Sequence, residues 1–104
     1  MNTFTENLAG MPGTDGIARI ELLNGNTVAA VIENKAGSQG SLRVYRHLAE
    51  KHGAITPAAA QEGLDLYAEH TEDARNNPGK HPNIDRLIDL INSNITLSVN
   101  LINA

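Results

Sequence analysis

The sequence predicts an α+β domain with a three-stranded, mainly antiparallel sheet, built from an N-terminal hairpin and a C-terminal strand. Three amphipathic helices are expected on one face of the sheet, with a short helix at the N-terminus. Two β-rich runs flank Asn24-Gly25-Asn26, and apolar stripes at helical spacing fill the middle of the chain. The end, from Ile95 to Ile102, alternates apolar and polar residues.

Phe4, Leu8 and Met11 stand at helical spacing with Thr3 or Thr5 as cap, and Gly10, Pro12 and Gly13 stop anything long. In the hairpin, register decides which face is buried, because a slip of one residue inverts every side chain. A two-residue Asn24-Gly25 turn sets Ala18, Ile20 and Leu22 with Thr27, Ala29 and Val31; a three-residue loop sets them with Val28, Ala30 and Ile32. The three-residue loop is favoured. It gathers Arg19, Glu21, Thr27 and Glu33 on the opposite face, and Asn26 tolerates a left-handed backbone. That opposite face still carries Ile17, Leu23, Ala29 and Val31.

A polar loop, residues 34–41, feeds the first long helix. Ser41 is the expected N-cap, the stripe is Leu42, Tyr45, Leu48, Ala49 and His52, and Gly53 ends it. Thr56-Pro57 opens the longest helix, with Ala60, Leu64, Tyr67, Thr71 and Ala74 inward. Gly63 beside that stripe implies a closely approaching backbone. The first helix is basic outside (Arg43, Arg46, Lys51) and the second acidic (Glu62, Asp65, Glu69, Glu72, Asp73), as in an antiparallel pair. Pro78-Gly79 ends the second, and Ile84, Leu87, Ile88, Ile91 and Ile95 mark a third, with Asp85 in its first turn. In the closing strand Ile95, Leu97, Val99 and Leu101 face inward.

The 104 residues make one domain, 1–104, large enough for a single core. Aromatics are 3%, so Ile, Leu, Val and Ala must fill it. The charge of −4 opposes nucleic-acid binding, and no apolar run approaches the ~20 residues of a membrane helix. The chain has no cysteine and its start lacks the basic and apolar regions of a signal peptide, so a cytoplasmic location is expected.

Three places can carry chemistry. The first is an anion site of Lys35, Gly37, Ser38, Gly40 and Ser41, where backbone N–H groups open a helix. Its spacing matches neither a Walker loop nor a dinucleotide fingerprint, and a flexible strand-to-helix turn with a capping serine is the plainer reading. The second is a polar or metal cluster of His70, Asp73, Lys80, His81 and Asp85, with His81 and Asp85 as a general-base pair. It lacks any recognised ligand spacing, His70 lies on the flank of its helix and Asp73 on the acidic solvent face; helix punctuation by Pro78-Gly79 and Pro82 is the plainer reading. The third is a dimer face of Ile17, Leu23, Val31 and Ile102 on the outer side of the sheet. No activated serine stands out, His47 and His52 read as a surface and a helix-end residue, and no cofactor is expected.

Residues 35–45, Lys35-Ala36-Gly37-Ser38-Gln39-Gly40-Ser41-Leu42-Arg43-Val44-Tyr45, and 77–85, Asn77-Pro78-Gly79-Lys80-His81-Pro82-Asn83-Ile84-Asp85, together resemble a small family of uncharacterised bacterial proteins, domain of unknown function family 2322. The resemblance runs over nearly the whole chain. It implies a bacterial cytoplasmic protein of about this size and brings no activity, cofactor or catalytic residue with it.

The leading functional expectation is a non-enzymatic homodimeric domain that binds a protein partner. Its rival is a ligand-binding protein or enzyme using the Gly37–Ser41 loop with Lys80, His81 and Asp85. Convergence of the two polar loops in one pocket favours the rival; opposite ends of the domain remove most of its support.

Overall fold

The computed structural model describes residues 3–11 and 13–104. Pro12, expected to help stop the first helix, lies outside the described residues, as do Met1 and Asn2. In chain order the elements are α1 (Phe4–Ala9), β1 (Ile17–Asn24), β2 (Thr27–Glu33), α2 (Gln39–His52), α3 (Pro57–Tyr67), α4 (Glu69–Asn76), α5 (Pro82–Ser93) and β3 (Ser98–Asn103). The sheet runs β2-β1-β3, antiparallel throughout.

The hairpin turn has two central residues, Gly25 and Asn26, not three, with Gly25 at φ +65°. Glycine at the first central position with a positive φ is the form that matches the strands' twist. A bulge between Leu22 and Leu23 then restores the register the core requires, setting Leu22 opposite Ala30 and Ile20 opposite Ile32. Ala30 and Ile32 therefore share the core side, as expected. Val28 does not: it pairs with Leu23 on the outer face and is 48% exposed.

A second irregularity lies between Ile17 and Arg19 where β1 meets β3. It allows Ile17 and Ile20, three residues apart, to be buried together. Ile17 thus belongs to the core and not to the outer face. Leu23 and Ile102 are half-buried, and Val31 is 45% exposed.

α2 lies over β1 and β2, and β3 pairs with β1 on the side opposite β2. Leu97 and Val99 turn inward, but Ile95 and Leu101, expected inside, remain exposed at this edge. A short bridge between Ile55 and Leu97, with N–H to carbonyl distances of 2.9 and 3.1 Å, ties the α2–α3 connection to the start of the last strand.

Several helix boundaries follow their local chemistry. Thr56 Oγ1 accepts the Ala59 N–H at 3.0 Å with Pro57 at the first helical position, and Gly53 closes α2 at φ +79°. Thr3 and Glu6 form a reciprocal capping box at the start of α1. α1 rests on α2 and α3.

The longest expected helix is broken in two at Ala68, whose φ of +53° and ψ of −118° are unfavourable for a residue with a Cβ. Such a conformation costs about 1–3 kcal/mol and persists only where surrounding contacts impose it. Thr71, buried, donates its hydroxyl to the Leu64 carbonyl across the break. Gly63 is crowded by side chains and not by a backbone: a Cβ there would stand 2.7 Å from Leu87 Cδ1 and 2.9 Å from Leu48 Cδ1. In α5, Leu90 is buried with Ile84 and Leu87, and Ile88 and Ile91 lie on the flank.

The opposed charges of α2 and α3 meet at Glu62. Lys51 Nζ, His52 Nε2 and His47 Nε2 approach its carboxylate at 2.9, 3.1 and 3.3 Å. The Lys51 hydrogen bond is the main cause holding the Glu62 carboxyl below its ordinary pKa. Exposed pairs of this kind contribute about 0.2–1 kcal/mol each, so they orient the two helices more than they stabilise them. Arg43, expected outward, instead donates to the Leu8 and Met11 carbonyls at 2.7 and 3.0 Å.

Candidate functional site

The loop before α2 begins with Gly37 at φ +91°. The helix starts at Gln39 with Ser38 as N-cap, so Ser41, expected to cap, lies inside the first turn. Ser38 does not cap with its side chain; its hydroxyl donates to the Glu33 carbonyl. Leu42 N–H reaches the Ser38 carbonyl at 3.0 Å, while among the described residues no acceptor meets the N–H groups of Gly40 and Ser41. Unsatisfied N–H groups and the positive end of the helix dipole make such a terminus attractive to anions.

The second loop follows α4. Gly79 adopts φ +92° and donates its N–H to Asp85 Oδ2 at 2.9 Å, so Asp85 holds the loop and does not orient His81. The carboxylate that does so is Asp73: its Oδ2 lies 2.6 Å from His81 Nε2 and 3.0 Å from Lys80 Nζ. Asp73 is therefore tied into this loop and not simply part of the acidic solvent face. The His81 hydrogen bond, then that of Lys80, lowers the Asp73 carboxyl to about 2. An ionised carboxylate only accepts, so Asp73 Oδ2 takes the hydrogen bond from the imidazole at Nε2.

The two loops open on one cavity of about 450 Å³. Gly37, Gly40 and Ser41 of the first loop line it, and so do Lys80 and His81 of the second with His70 of α4. Phe4 and Tyr67 line it too, with Asn83 at the start of α5. Tyr67 donates its hydroxyl to Ser41 Oγ at 2.7 Å, which bolts α3 to the first turn of α2; burial pushes its phenol well above the ordinary value. Tyr45 behind the cavity donates to the Asn83 carbonyl, and Arg86 donates to Tyr45 at 3.2 Å and to Asn83 Oδ1 at 2.9 Å.

A family profile described as an uncharacterised protein conserved in bacteria, DUF2322, matches residues 4–101. The chain belongs to the DUF2322 family. The matched span of this DUF2322 protein runs from the cavity-lining Phe4 to Leu101 in β3. No curated protein and no solved structure matches the chain.

Not every expected residue reaches the cavity. Lys35 pairs with Glu33 at 3.0 Å and, with Ser38, borders a separate hollow. Among the described residues no group of three His, Cys, Asp or Glu side chains can hold a metal ion, so the metal reading of His70, Asp73, His81 and Asp85 has no geometric support. Sequence reasoning missed Phe4 and Tyr67 as cavity residues, and placed Gln39 and Asn83 within the two polar loops without giving either a role. Phe4 and Tyr67 sit at helical spacing among apolar neighbours, the same signal a core residue gives; only their rarity, among three aromatics in the chain, set them apart. No helix is long and apolar enough to cross a membrane among the described residues.

Proposed function

We propose that this DUF2322 protein binds a small molecule through an anionic group, phosphate or carboxylate, in the cavity between the two polar loops. The convergence of the Gly37–Ser41 turn with His70, Lys80 and His81 carries this reading. Two unsatisfied N–H groups at the start of a 14-residue helix supply donors, and Lys80 supplies a positive charge held in place by Asp73. Inorganic phosphate at millimolar concentration is expected to raise the melting temperature, because a ligand that binds the native state stabilises it by mass action. Lys80→Ala should weaken phosphate binding roughly tenfold, as loss of a charge-assisted contact does, whereas Lys35→Ala should leave it unchanged. Absence of a shift, or equal loss in both variants, defeats the reading.

The outer face of the sheet supports a second reading, a homodimer. Val28 and Val31 are 48% and 45% exposed there, beside half-buried Leu23 and Ile102. Arg19 and Glu21 put both signs of charge on the same face, as a two-fold contact requires when each copy supplies both halves. Light scattering at micromolar protein should return a dimer mass that Val31→Lys reduces to a monomer; a monomeric wild type removes the proposal.

A further inference from the structure

The chain holds one Phe, two Tyr and no Trp. Phe4 and Tyr67 both line the cavity, stacked with centroids 5.1 Å apart and planes 16° apart. His70 meets Phe4 edge-on at 5.1 Å and stands 5.7 Å from His81. Four rings from α1, α3, α4 and the loop before α5 thus form one continuous wall of the cavity. A packing role explains part of this: Phe4 on Tyr67, with the Phe4 N–H donating to Glu69 Oε1 at 2.8 Å, fastens α1 to α3 and α4. It does not explain why two of the chain's four histidines extend the same wall to Lys80.

Size points the same way. A cavity of about 450 Å³ lies in the range of sites for whole organic ligands, roughly 300–1,000 Å³, and a bare inorganic anion would leave most of it to water. Offset and edge-on contacts between aromatic rings are favourable beyond the area they bury.

We propose that the ligand is an aromatic or heteroaromatic phosphate or carboxylate. Its ring lies along Phe4 and His70, and its anion lies at Gly40, Ser41 and Lys80. This rests on the anion reading of the same cavity and adds the chemical class of the organic part.

Calorimetric titration of the full chain with phenyl phosphate and with glycerol phosphate separates the two claims. Phenyl phosphate should bind about five- to tenfold tighter, the size of an added aromatic contact. Phe4→Leu, which keeps an apolar side chain against Tyr67, should abolish that preference, bringing the Kd values of the two probes together. His70→Leu interrupts the wall while leaving the residues of α1 and the Phe4–Tyr67 stack unchanged and should reduce the preference likewise; it decides the matter if Phe4→Leu fails to fold. Equal affinity for the two probes overturns the aromatic inference and leaves the anion reading standing. Failure of both probes to bind overturns both, and a preference that survives both substitutions overturns the inference alone.

Discussion

Leu87→Ala is expected to lower the unfolding free energy by about 3 kcal/mol, measured by urea titration. Leu87 is fully buried on α5 and its Cδ1 fills the space over Gly63 of α3. Truncation removes transfer energy and leaves a cavity where those two helices meet. The close approach makes the effect context-dependent. Gly63→Ala alone should destabilise by about 1 kcal/mol or more, because the new Cβ presses on Leu87 and Leu48, both fully buried, and outweighs the gain in helix propensity. In the Leu87→Ala background the contact with Leu87 is gone and Leu48 Cδ1, 2.9 Å from the new Cβ, can shift into the vacated space, so Gly63→Ala should cost less than it does alone. Additive losses in the double variant would show that the crowding at Gly63 does not govern this contact.

Alkaline pH should unfold the protein steeply. Burial, opposed by Arg86, pushes the Tyr45 phenol up to about 12, and burial also raises Tyr67 well beyond its ordinary value. A phenol whose pKa is raised in the folded state contributes stability that is complete below the unfolded value, about 10, and is lost as pH rises through the folded one. For Tyr45 that contribution is about 3 kcal/mol, lost between about pH 10 and pH 12. Tyr45→Phe should flatten this part of the pH dependence, at a cost near neutral pH of about 1–2 kcal/mol for the bonds to Asn83 and Arg86. The chain has two tyrosines and no tryptophan, so phenolate absorbance reports these two sites directly. It should rise together with the loss of helical circular dichroism; phenolate formation in the folded protein would contradict their burial.

The competition between turn and core in the hairpin shows where local reasoning succeeds and where it stops. The apolar pattern correctly places Ala30 and Ile32 beside Leu22 and Ile20. The loop length inferred from that pattern is wrong, because a bulge supplies the missing residue and a two-residue turn becomes compatible with it. The price is Val28, which leaves the core side. Likewise the period of the longest helical stripe gives no sign of the break at Ala68, since alanine is the best helix former and the contacts that impose its backbone are not local.

The candidate site divides in the same way. Both polar loops stand out in the sequence by their glycines, prolines and charged residues, and His70, Lys80 and His81 all reach the cavity. Their partners do not follow from spacing. His81 lies four residues from Asp85 and eight from Asp73, yet Asp85 turns back to Gly79 and Asp73 takes the imidazole. Beyond the break at Ala68, the face assignment that grouped Asp73 with Glu62 and Asp65 no longer applies.

Local chemistry alone settles the α+β class, the stops at Gly53 and Pro78-Gly79, the Thr56-Pro57 start and the last strand, because caps and periodicity act within a few residues. Tertiary packing alone makes the cavity. Phe4, Ser41, Tyr67 and His81 are distant in sequence, and only the docking of α1 on α3 and the Tyr67–Ser41 bond bring them around one space.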